Sequence, residues 1–254
     1  MRKSYIMVFM LMAFASLLQA QELPVFEKAV YQTRQDSLPY RLLYPQNYNP
    51  KQKYPLILFL HGMGVRGNDN QKQIVNLPKA LLTAQGREAY HCFILVPQCP
   101  NNDVWVKFPE FPKSLSATAK PTKSTASVLT LLANLQQQLP IDRHRIYVMG
   151  NSMGGEATFD FLARKPKRFA GAIPICAVAD TATAKLIYRT PIWAFHGDQD
   201  DVNDVKYTRM MIDALQKRGG KPKYTEYPGI KHNSWDKAYA EPQLFDWLFA
   251  QSKN

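Results

Sequence analysis

The 254-residue chain is 46% hydrophobic and 12% aromatic, which suffices for the core of one α/β domain and excludes a disordered or low-complexity protein. Its formal net charge is +12, but the basic residues are scattered, which favours a solvated surface over a face that binds anionic polysaccharide, a membrane surface or nucleic acid. No Cys/His cluster has metal-ligand spacing, so we predict no metal ion and no other cofactor.

The first 20 residues have the pattern of a secretory signal peptide. Two basic residues precede an apolar run that ends at Leu18, and Ala20 is a small residue before the expected cleavage point. The run is shorter than the roughly 20 residues of a membrane span. Leu18 departs from the small residue preferred three positions before a cut, which leaves an uncleaved anchor as the alternative. We predict an exported protein, periplasmic or secreted, in which residues 21–254 form one domain without stable membrane insertion.

Apolar runs along the mature chain predict the strands of a buried sheet. Residues 21–43 form an opening β region around a turn at Gln35-Asp36-Ser37. Continuous apolar runs, which are typical of parallel strands covered on both faces, then recur. These runs are Tyr54–Leu60, His91–Val96, Arg145–Met149, Phe169–Ile175 and Ile192–Phe195.

Helical patterns separate these predicted strands. The first is capped by Ser124 or Thr125 and ends before Pro140. The others cover residues 154–162, 202–217 and 242–251. Alternation of strands and helices predicts a doubly wound, mostly parallel sheet flanked by helices. Ligands of such sheets bind beyond the carboxyl ends of the strands, so polar residues at those ends are the candidates for function.

The chain contains three cysteines, which is an odd number for an exported protein. Cys92 and Cys176 lie in apolar runs, where cysteine acts as a small buried hydrophobe. Cys99 follows a strand and could meet either of them. The sequence leaves the pairing open.

Gly150-x-Ser152-x-Gly154 joins a predicted strand to a predicted helix. This spacing is that of a nucleophile elbow, a sharp turn that lifts one hydroxyl clear of the sheet edge. The glycines are required where strand and helix approach too closely for a Cβ. An ordinary glycine–serine turn is the alternative interpretation, which the presence of a base and an acid elsewhere would disfavour.

Ser152 needs a general base, because a free hydroxyl is a weak nucleophile at neutral pH. Of the five histidines, His232 alone lies late in the chain, in a loop at the carboxyl edge of the predicted sheet. The other four begin or end strands, and two of them, His61 and His196, precede glycine as structural turn residues do. The alternative for His232 is a surface loop histidine.

An acid should orient the imidazole of the base and stabilise its cation. The loop after the run at Ile192 offers Asp198, Asp200 and Asp201. Three acids together could also form a turn and a helix cap, so the residues themselves leave the choice open.

Two backbone amides are candidates for an oxyanion hole. Met63 follows the early strand in a His-Gly-Met-Gly turn, and Met153 comes directly after Ser152 at a helix start. A plain turn at His61-Gly62 is the alternative for the first of these.

Five motifs occur in order along nearly the whole mature chain: Pro55–Asn70, Val96–Pro100 with Trp105, Asp142–Gly155, His196–Asp200 and His232–Trp235. With these motifs the chain resembles the phospholipase/carboxylesterase family of the α/β-hydrolase superfamily, in particular its secreted bacterial branch of predicted peptidases and feruloyl-esterase-like enzymes. The resemblance implies the α/β-hydrolase fold and a catalytic triad of Ser152, Asp200 and His232. No long insertion follows Cys176, so we predict no large lid.

The resemblance further implies a serine carboxylesterase that hydrolyses short-acyl or hydroxycinnamoyl esters through an acyl-enzyme on Ser152. The substrate would be a small molecule or an ester linked to plant polysaccharide. One alternative is a serine peptidase or lysophospholipase with the same triad. An alternative of another class is an inactive carbohydrate- or lipid-binding module on the same scaffold.

Two tryptophans are candidates for substrate contact. Trp105 lies in the long irregular segment 101–123, whose aromatic residues could line an open acyl or sugar site. Trp235 belongs to the His232 motif. The alternative for the aromatic residues of the segment is that they attach it to the domain.

Overall fold

The computed structural model describes residues 25–33 and 36–253, so the predicted signal peptide and Gln35 of the predicted turn lie outside the described residues. The strands are β1 Glu27–Gln32, β2 Ser37–Leu43, β3 Tyr54–Leu60, β4 Phe93–Pro97, β5 Ile141–Asn151, β6 Gly171–Ile175, β7 Trp193–Gly197 and β8 Lys223–Tyr227. The helices are α1 Ala84–Ala89, α2 Lys123–Gln138, α3 Met153–Arg164, α4 Ala184–Ile187, α5 Lys206–Lys217, α6 Trp235–Tyr239 and α7 Leu244–Phe249.

The eight strands form one sheet in the order β1-β2-β4-β3-β5-β6-β7-β8. β1 and β2 form an antiparallel hairpin, and β2 pairs antiparallel with β4. All the other pairings are parallel. The doubly wound, mostly parallel sheet of the α/β-hydrolase fold is therefore confirmed, and all five predicted parallel runs are strands of it.

Helices cover both faces of the sheet, which explains the continuous apolar runs. Every residue of β3 is buried. Leu56, Leu58 and Leu60 pack into one core together with residues of α2, α3 and α5. Ile57 and Phe59 point the other way, into a second core with residues of α7. A strand buried on both faces needs apolar side chains at every position, because successive residues face opposite cores.

Two predicted helix starts are wrong. The N-cap of α2 is Thr122, whose Oγ1 accepts the N–H of Thr125 at 3.2 Å. Ser124 instead donates its backbone N–H and its hydroxyl to Asp103, at 3.0 and 2.8 Å. α5 begins four residues later than predicted, because the residues before it form a turn around the carboxylate of Asp200.

The prediction that Trp105 lines the substrate site is also wrong. Its side chain is 0% exposed, and its indole N–H donates to the carbonyl of His61 at 3.0 Å. The hydroxyls of Thr122 and Thr125 donate to the Trp105 carbonyl, at 3.0 and 2.7 Å. Trp105 thus attaches the irregular segment to the domain, which is the alternative that the sequence left open.

Cys92, Cys99 and Cys176 are all buried and unpaired within the part of the chain that the structure describes. Cys99 lies 3.7 Å from the hydroxyl of Ser124. No helix among residues 25–33 and 36–253 combines the length and apolar character that a membrane span requires.

Close backbone contacts fix the turn between β5 and α3. A Cβ added at Gly154 would lie 1.8 Å from the carbonyl oxygen of Leu60, and one at Gly150 would lie 2.3 Å from the same atom. One at Gly155 would lie 2.4 Å from the carbonyl oxygen of Ile175. The turn is therefore packed directly against the ends of β3 and β6, at distances that only glycine permits.

We expect Gly154→Ala to lower the free energy of unfolding by more than about 2 kcal/mol, because the methyl group would force the helix away from β3. Urea denaturation followed by circular dichroism measures this change. Gly64→Ala is the matched control, since an added Cβ there meets nothing within 4 Å. Equal stabilities of the two variants would contradict the steric role of Gly154.

Candidate active site

Ser152 occupies a strained turn between β5 and α3. Its backbone has φ 55° and ψ −125°, a conformation that residues other than glycine rarely adopt. Its N–H donates to the carbonyl of Ile175 at 2.9 Å and contacts Cys176 Sγ at 3.2 Å. Strain of this kind is stored mainly at functional sites, where the surrounding packing holds it.

The structure brings Ser152, His232 and Asp200 together in one chain of hydrogen bonds. His232 Nε2 lies 2.8 Å from Ser152 Oγ. His232 Nδ1 lies 2.8 Å from Asp200 Oδ2 and 2.9 Å from Oδ1. When Nδ1 carries the proton, Nε2 is free to accept the hydroxyl proton of Ser152. This is the geometry that a serine nucleophile, its base and an orienting acid require.

The neighbouring acids of the cluster make other contacts. Asp198 accepts the N–H of Gly229 at 2.7 Å, and Asp201 pairs with Lys231 at 3.0 Å on the surface. Asp200 alone of the three reaches His232. The choice that the residues left open is therefore made by the geometry of the turn after β7.

A second histidine holds Asp200 in place. His196 Nε2 lies 3.0 Å from Asp200 Oδ2, and the N–H groups of Val202 and Asn203 donate to Oδ1 at 2.9 Å each. Burial acts to raise the pKa of Asp200, but the hydrogen bonds from His196, His232 and the two amides hold this pKa well below its ordinary value. Asp200 is thus ionised across the neutral range.

His196 was predicted only as a structural turn residue, and its contact with Asp200 was missed. The side chain is 0% exposed, with Nε2 2.8 Å from the Asn203 carbonyl and Nδ1 2.8 Å from Thr208 Oγ1. The available signal was the four-residue spacing from His196 to Asp200 across a tight turn. That spacing has no fixed geometry outside a helix, so the sequence could not establish the contact.

The two predicted oxyanion donors lie at the starts of helical turns beside Ser152. Met63 begins a 3₁₀ turn, and Met153 is the first residue of α3. The first N–H groups of such turns have no partner inside the turn. A Cβ added at Gly62 would lie 3.7 Å from Ser152 Cβ, so the loop after β3 runs directly past Ser152.

A cavity of about 400 Å³ opens at Ser152 and His232. Met63 and Trp235 contribute apolar surface to it. The ring of Trp235 stands edge-on to the ring of His232, with 5.5 Å between the ring centroids. A larger cavity of about 810 Å³ lies elsewhere, beside His144 near the start of β5, and none of the predicted site residues lines it. We assign the smaller cavity to the site because it contains the reactive groups.

Glu156 also lines this cavity and was missed by the sequence analysis. It lies one helical turn after Ser152, and its backbone N–H donates to the Ser152 carbonyl at 2.9 Å. Burial raises the pKa of Glu156 to about 7, although a hydrogen bond from Asn203 and the proximity of His232 act to lower it. The signal was a glutamate in the first turn of the helix that follows Ser152.

One cluster brings three possible metal ligands together. Atoms of Cys176, Asp200 and His232 lie within 4.8 Å of one another. Burial raises the pKa of Cys176 well above its ordinary value, so the sulfur is held as a thiol, whereas a metal ligand must be a thiolate. His232 is also engaged with both Asp200 and Ser152. This donor set is suited to proton transfer rather than to a metal.

We expect Glu156→Gln to raise the free energy of unfolding at pH 8 by on the order of 2–3 kcal/mol. The folded-state pKa of about 7 lies above the ordinary value, so deprotonation of Glu156 destabilises the fold as pH rises from about 4.5 through 7. At pH 4 both states bind the proton, and the two proteins should be equally stable. Urea denaturation at pH 4 and pH 8 measures the difference in free energy of unfolding between Glu156→Gln and the parent. A difference of the same size at both pH values would contradict the prediction.

Comparison with known proteins identifies a family. The family model described as phospholipase/carboxylesterase matches residues 47–243. The chain is 26% identical, over 159 residues, to a bifunctional acetylxylan esterase/xylanase from Neocallimastix patriciarum. That match covers 62% of this chain and 21% of the relative, so the chain spans about a fifth of the length of that protein.

Solved structures of the same fold include a thermostable esterase with a TM-score of 0.83 and 34% identity, where the match covers 90% of this chain and 63% of the other. A putative dipeptidyl aminopeptidase IV from Bacteroides ovatus has a TM-score of 0.68 and 17% identity, covering 91% of this chain and 36% of the other. A CE1 ferulic acid esterase from Anaeromyces mucronatus, solved with ferulic acid, has a TM-score of 0.65, 15% identity and 92% coverage of both chains. The last two show the fold alone.

The segments that follow β3, β5, β7 and β8 carry the candidate site residues, and all four segments lie within the matched range 47–243. Membership of the narrower secreted bacterial branch stays a prediction. With the elbow at Ser152 and the strand order of the sheet, the family match leads to one conclusion: the chain belongs to the phospholipase/carboxylesterase family.

Proposed function

We propose that this protein is an exported serine carboxylesterase that hydrolyses short-acyl or hydroxycinnamoyl esters, including esters carried by plant polysaccharide. The observation that carries the proposal is the hydrogen-bonded chain from Ser152 Oγ through His232 to Asp200, with distances of 2.8 Å at both ends. The esterase relatives support the reaction class. Export rests on the signal-peptide pattern of residues 1–20.

The first half of the reaction acylates Ser152. His232 Nε2 accepts the hydroxyl proton as Ser152 Oγ attacks the ester carbonyl, and the carbonyl oxygen becomes an oxyanion. The N–H groups of Met63 and Met153 stabilise this oxyanion, because they have no acceptor within their own turns. His232 then protonates the departing alcohol, and Ser152 keeps the acyl group.

In the second half, water takes the place of the alcohol. His232 accepts a proton from the water as the water oxygen bonds to the acyl carbon. The bond between this carbon and Ser152 Oγ then breaks, the proton passes from His232 to Ser152 Oγ, and the carboxylic acid is released. Throughout, the ionised Asp200 favours the imidazolium form of His232 and fixes its orientation. His196 acts one step further away, by holding Asp200 at 3.0 Å.

The size of the cavity supports the proposed substrates. A volume of about 400 Å³ is at the lower end of ordinary ligand sites and accommodates a short or aromatic acyl group. One relative is a bifunctional acetylxylan esterase/xylanase, and one structural neighbour was solved with ferulic acid. The serine peptidase and lysophospholipase alternatives use the same triad, so only the substrate preference distinguishes them from the proposed carboxylesterase. The inactive binding module is disfavoured because the hydrogen bonds among the three triad residues are intact.

We expect Ser152→Ala to lower kcat on p-nitrophenyl acetate by at least about 10⁴-fold, because no other group supplies the nucleophile. Initial rates of the purified proteins measure this. Ser116→Ala, at an exposed serine, is the matched control and should retain the parent rate. Equal rates for the parent and Ser152→Ala would exclude Ser152 as nucleophile.

The same rate assay on acetyl, feruloyl, long-acyl and peptide substrates separates the alternatives. The carboxylesterase proposal requires that acetyl or feruloyl esters be cleaved faster than long-acyl esters and peptides. A peptide or long-acyl preference that depends on Ser152 would replace the proposal with one of the two alternatives.

We expect Asp200→Asn to lower kcat by about 10³–10⁴-fold while Asp198→Asn and Asp201→Asn retain most of the activity. Only Asp200 contacts His232 and sets its tautomer, whereas the other two carboxylates bind elsewhere. Steady-state kinetics on the same ester compare the three variants. A larger loss in either neighbour than in Asp200→Asn would show that the acid is wrongly assigned.

A further inference from the structure

The cavity at Ser152 differs in charge from the protein as a whole. The chain has a formal net charge of +12. No lysine or arginine is among the described residues that line the cavity. Its ionisable side chains are His232, which the reaction uses, and Glu156, which the reaction does not use. The chemistry of this cavity therefore favours a neutral substrate over an anionic one.

Glu156 is placed to meet a substrate bound at Ser152. It lies on α3 four residues after Ser152, and its N–H donates to the Ser152 carbonyl at 2.9 Å. Side chains on a helix point back toward its N-terminus, which here is the end that bears the nucleophile. Glu156 lines the same cavity as Ser152 and His232, so a substrate bound at Ser152 comes close to it.

The carboxyl group of Glu156 has hydrogen-bonding capacity to spare. The contact from Asn203 Nδ2 to Glu156 Oε1 is 3.5 Å long, at the outer limit for a hydrogen bond. The same Nδ2 already donates to the carbonyl of Cys176 at 2.9 Å. None of the ion pairs found among residues 25–33 and 36–253 involves Glu156. A partly buried carboxyl group without a strong partner costs free energy, which a substrate group can offset.

The ionisation of Glu156 indicates the kind of partner. Burial raises its pKa to about 7, so the neutral acid is well populated near neutral pH. A neutral carboxyl group both donates and accepts a hydrogen bond, which matches the two roles of a hydroxyl group. A substrate ammonium group would instead need the ionised form, which burial disfavours.

We propose that Glu156 determines specificity by hydrogen-bonding a hydroxyl group on the alcohol part of the ester, so that the preferred substrates are acylated carbohydrates. We place the hydroxyl on the alcohol part because an acetyl group carries none, and the hydroxyl of a hydroxycinnamoyl group stands at the far end of its ring, away from the ester carbonyl at Ser152. This inference rests on the proposed esterase function and adds to it the residue that recognises the sugar.

Two substrates that differ only in hydroxyl groups test the proposal: a monoacetylated methyl xyloside, and the same ester with its remaining hydroxyls O-methylated. We expect the parent enzyme to favour the free-hydroxyl ester by about tenfold in kcat/KM, the size of one good hydrogen bond. Glu156→Leu should bring this ratio close to one, mainly through KM. Glu156→Gln should keep most of the ratio, because an amide still donates and accepts. Glu110→Leu, at an exposed glutamate, is the matched control and should keep the parent ratio.

A ratio in Glu156→Leu equal to that of the parent would overturn the proposal. So would an equal loss on both esters together with a lower melting temperature, which would assign Glu156 a structural role. If the parent cleaves p-nitrophenyl acetate through Ser152 but neither xyloside, the sugar specificity is wrong while the esterase function stands. If it cleaves none of the three esters, the esterase function itself is wrong.

Discussion

The close packing of the β5–α3 turn against the ends of β3 and β6 is the constraint on which the rest of the site depends. Gly150 and Gly154 let the turn approach the carbonyl of Leu60, and this approach holds Ser152 at φ 55°. The same contact brings the loop after β3 beside the nucleophile, so one steric arrangement places both the hydroxyl and the two candidate oxyanion amides. The backbone strain at Ser152 is offset by the buried sheet around it rather than by local hydrogen bonds alone.

The acid side of the site is fixed by hydrogen bonds rather than by packing. Asp200 receives hydrogen bonds from two backbone amides and from His196, and these leave its carboxylate aimed at His232. Under the proposed mechanism, little reorganisation is needed when the imidazolium of His232 forms, because hydrogen bonds already satisfy the carboxylate in the resting protein. Catalytic groups held in this way stabilise charge at low cost, which is the common basis of electrostatic catalysis in enzymes.

Glu156 shows how the site departs from an arrangement made for stability alone. A hydrophobic residue there would remove a partly buried carboxyl group whose pKa is raised to about 7 and whose contact with Asn203 is as long as 3.5 Å. Groups that cost stability beside a nucleophile are typical of positions that act on a substrate. The positive charge of the protein lies outside this cavity, because no lysine or arginine is among the described residues that line it.

The sequence by itself determined the doubly wound sheet and the elbow at Ser152, because both follow from local patterns: continuous apolar runs mark strands covered on two faces, and the glycine spacing marks the tight turn. Resemblance to a family added Asp200 and His232. Only the tertiary structure buried Trp105, brought His196 onto Asp200 and turned Glu156 into the cavity. These outcomes depend on how segments distant in sequence pack against one another, and the pattern of a single segment does not contain that information.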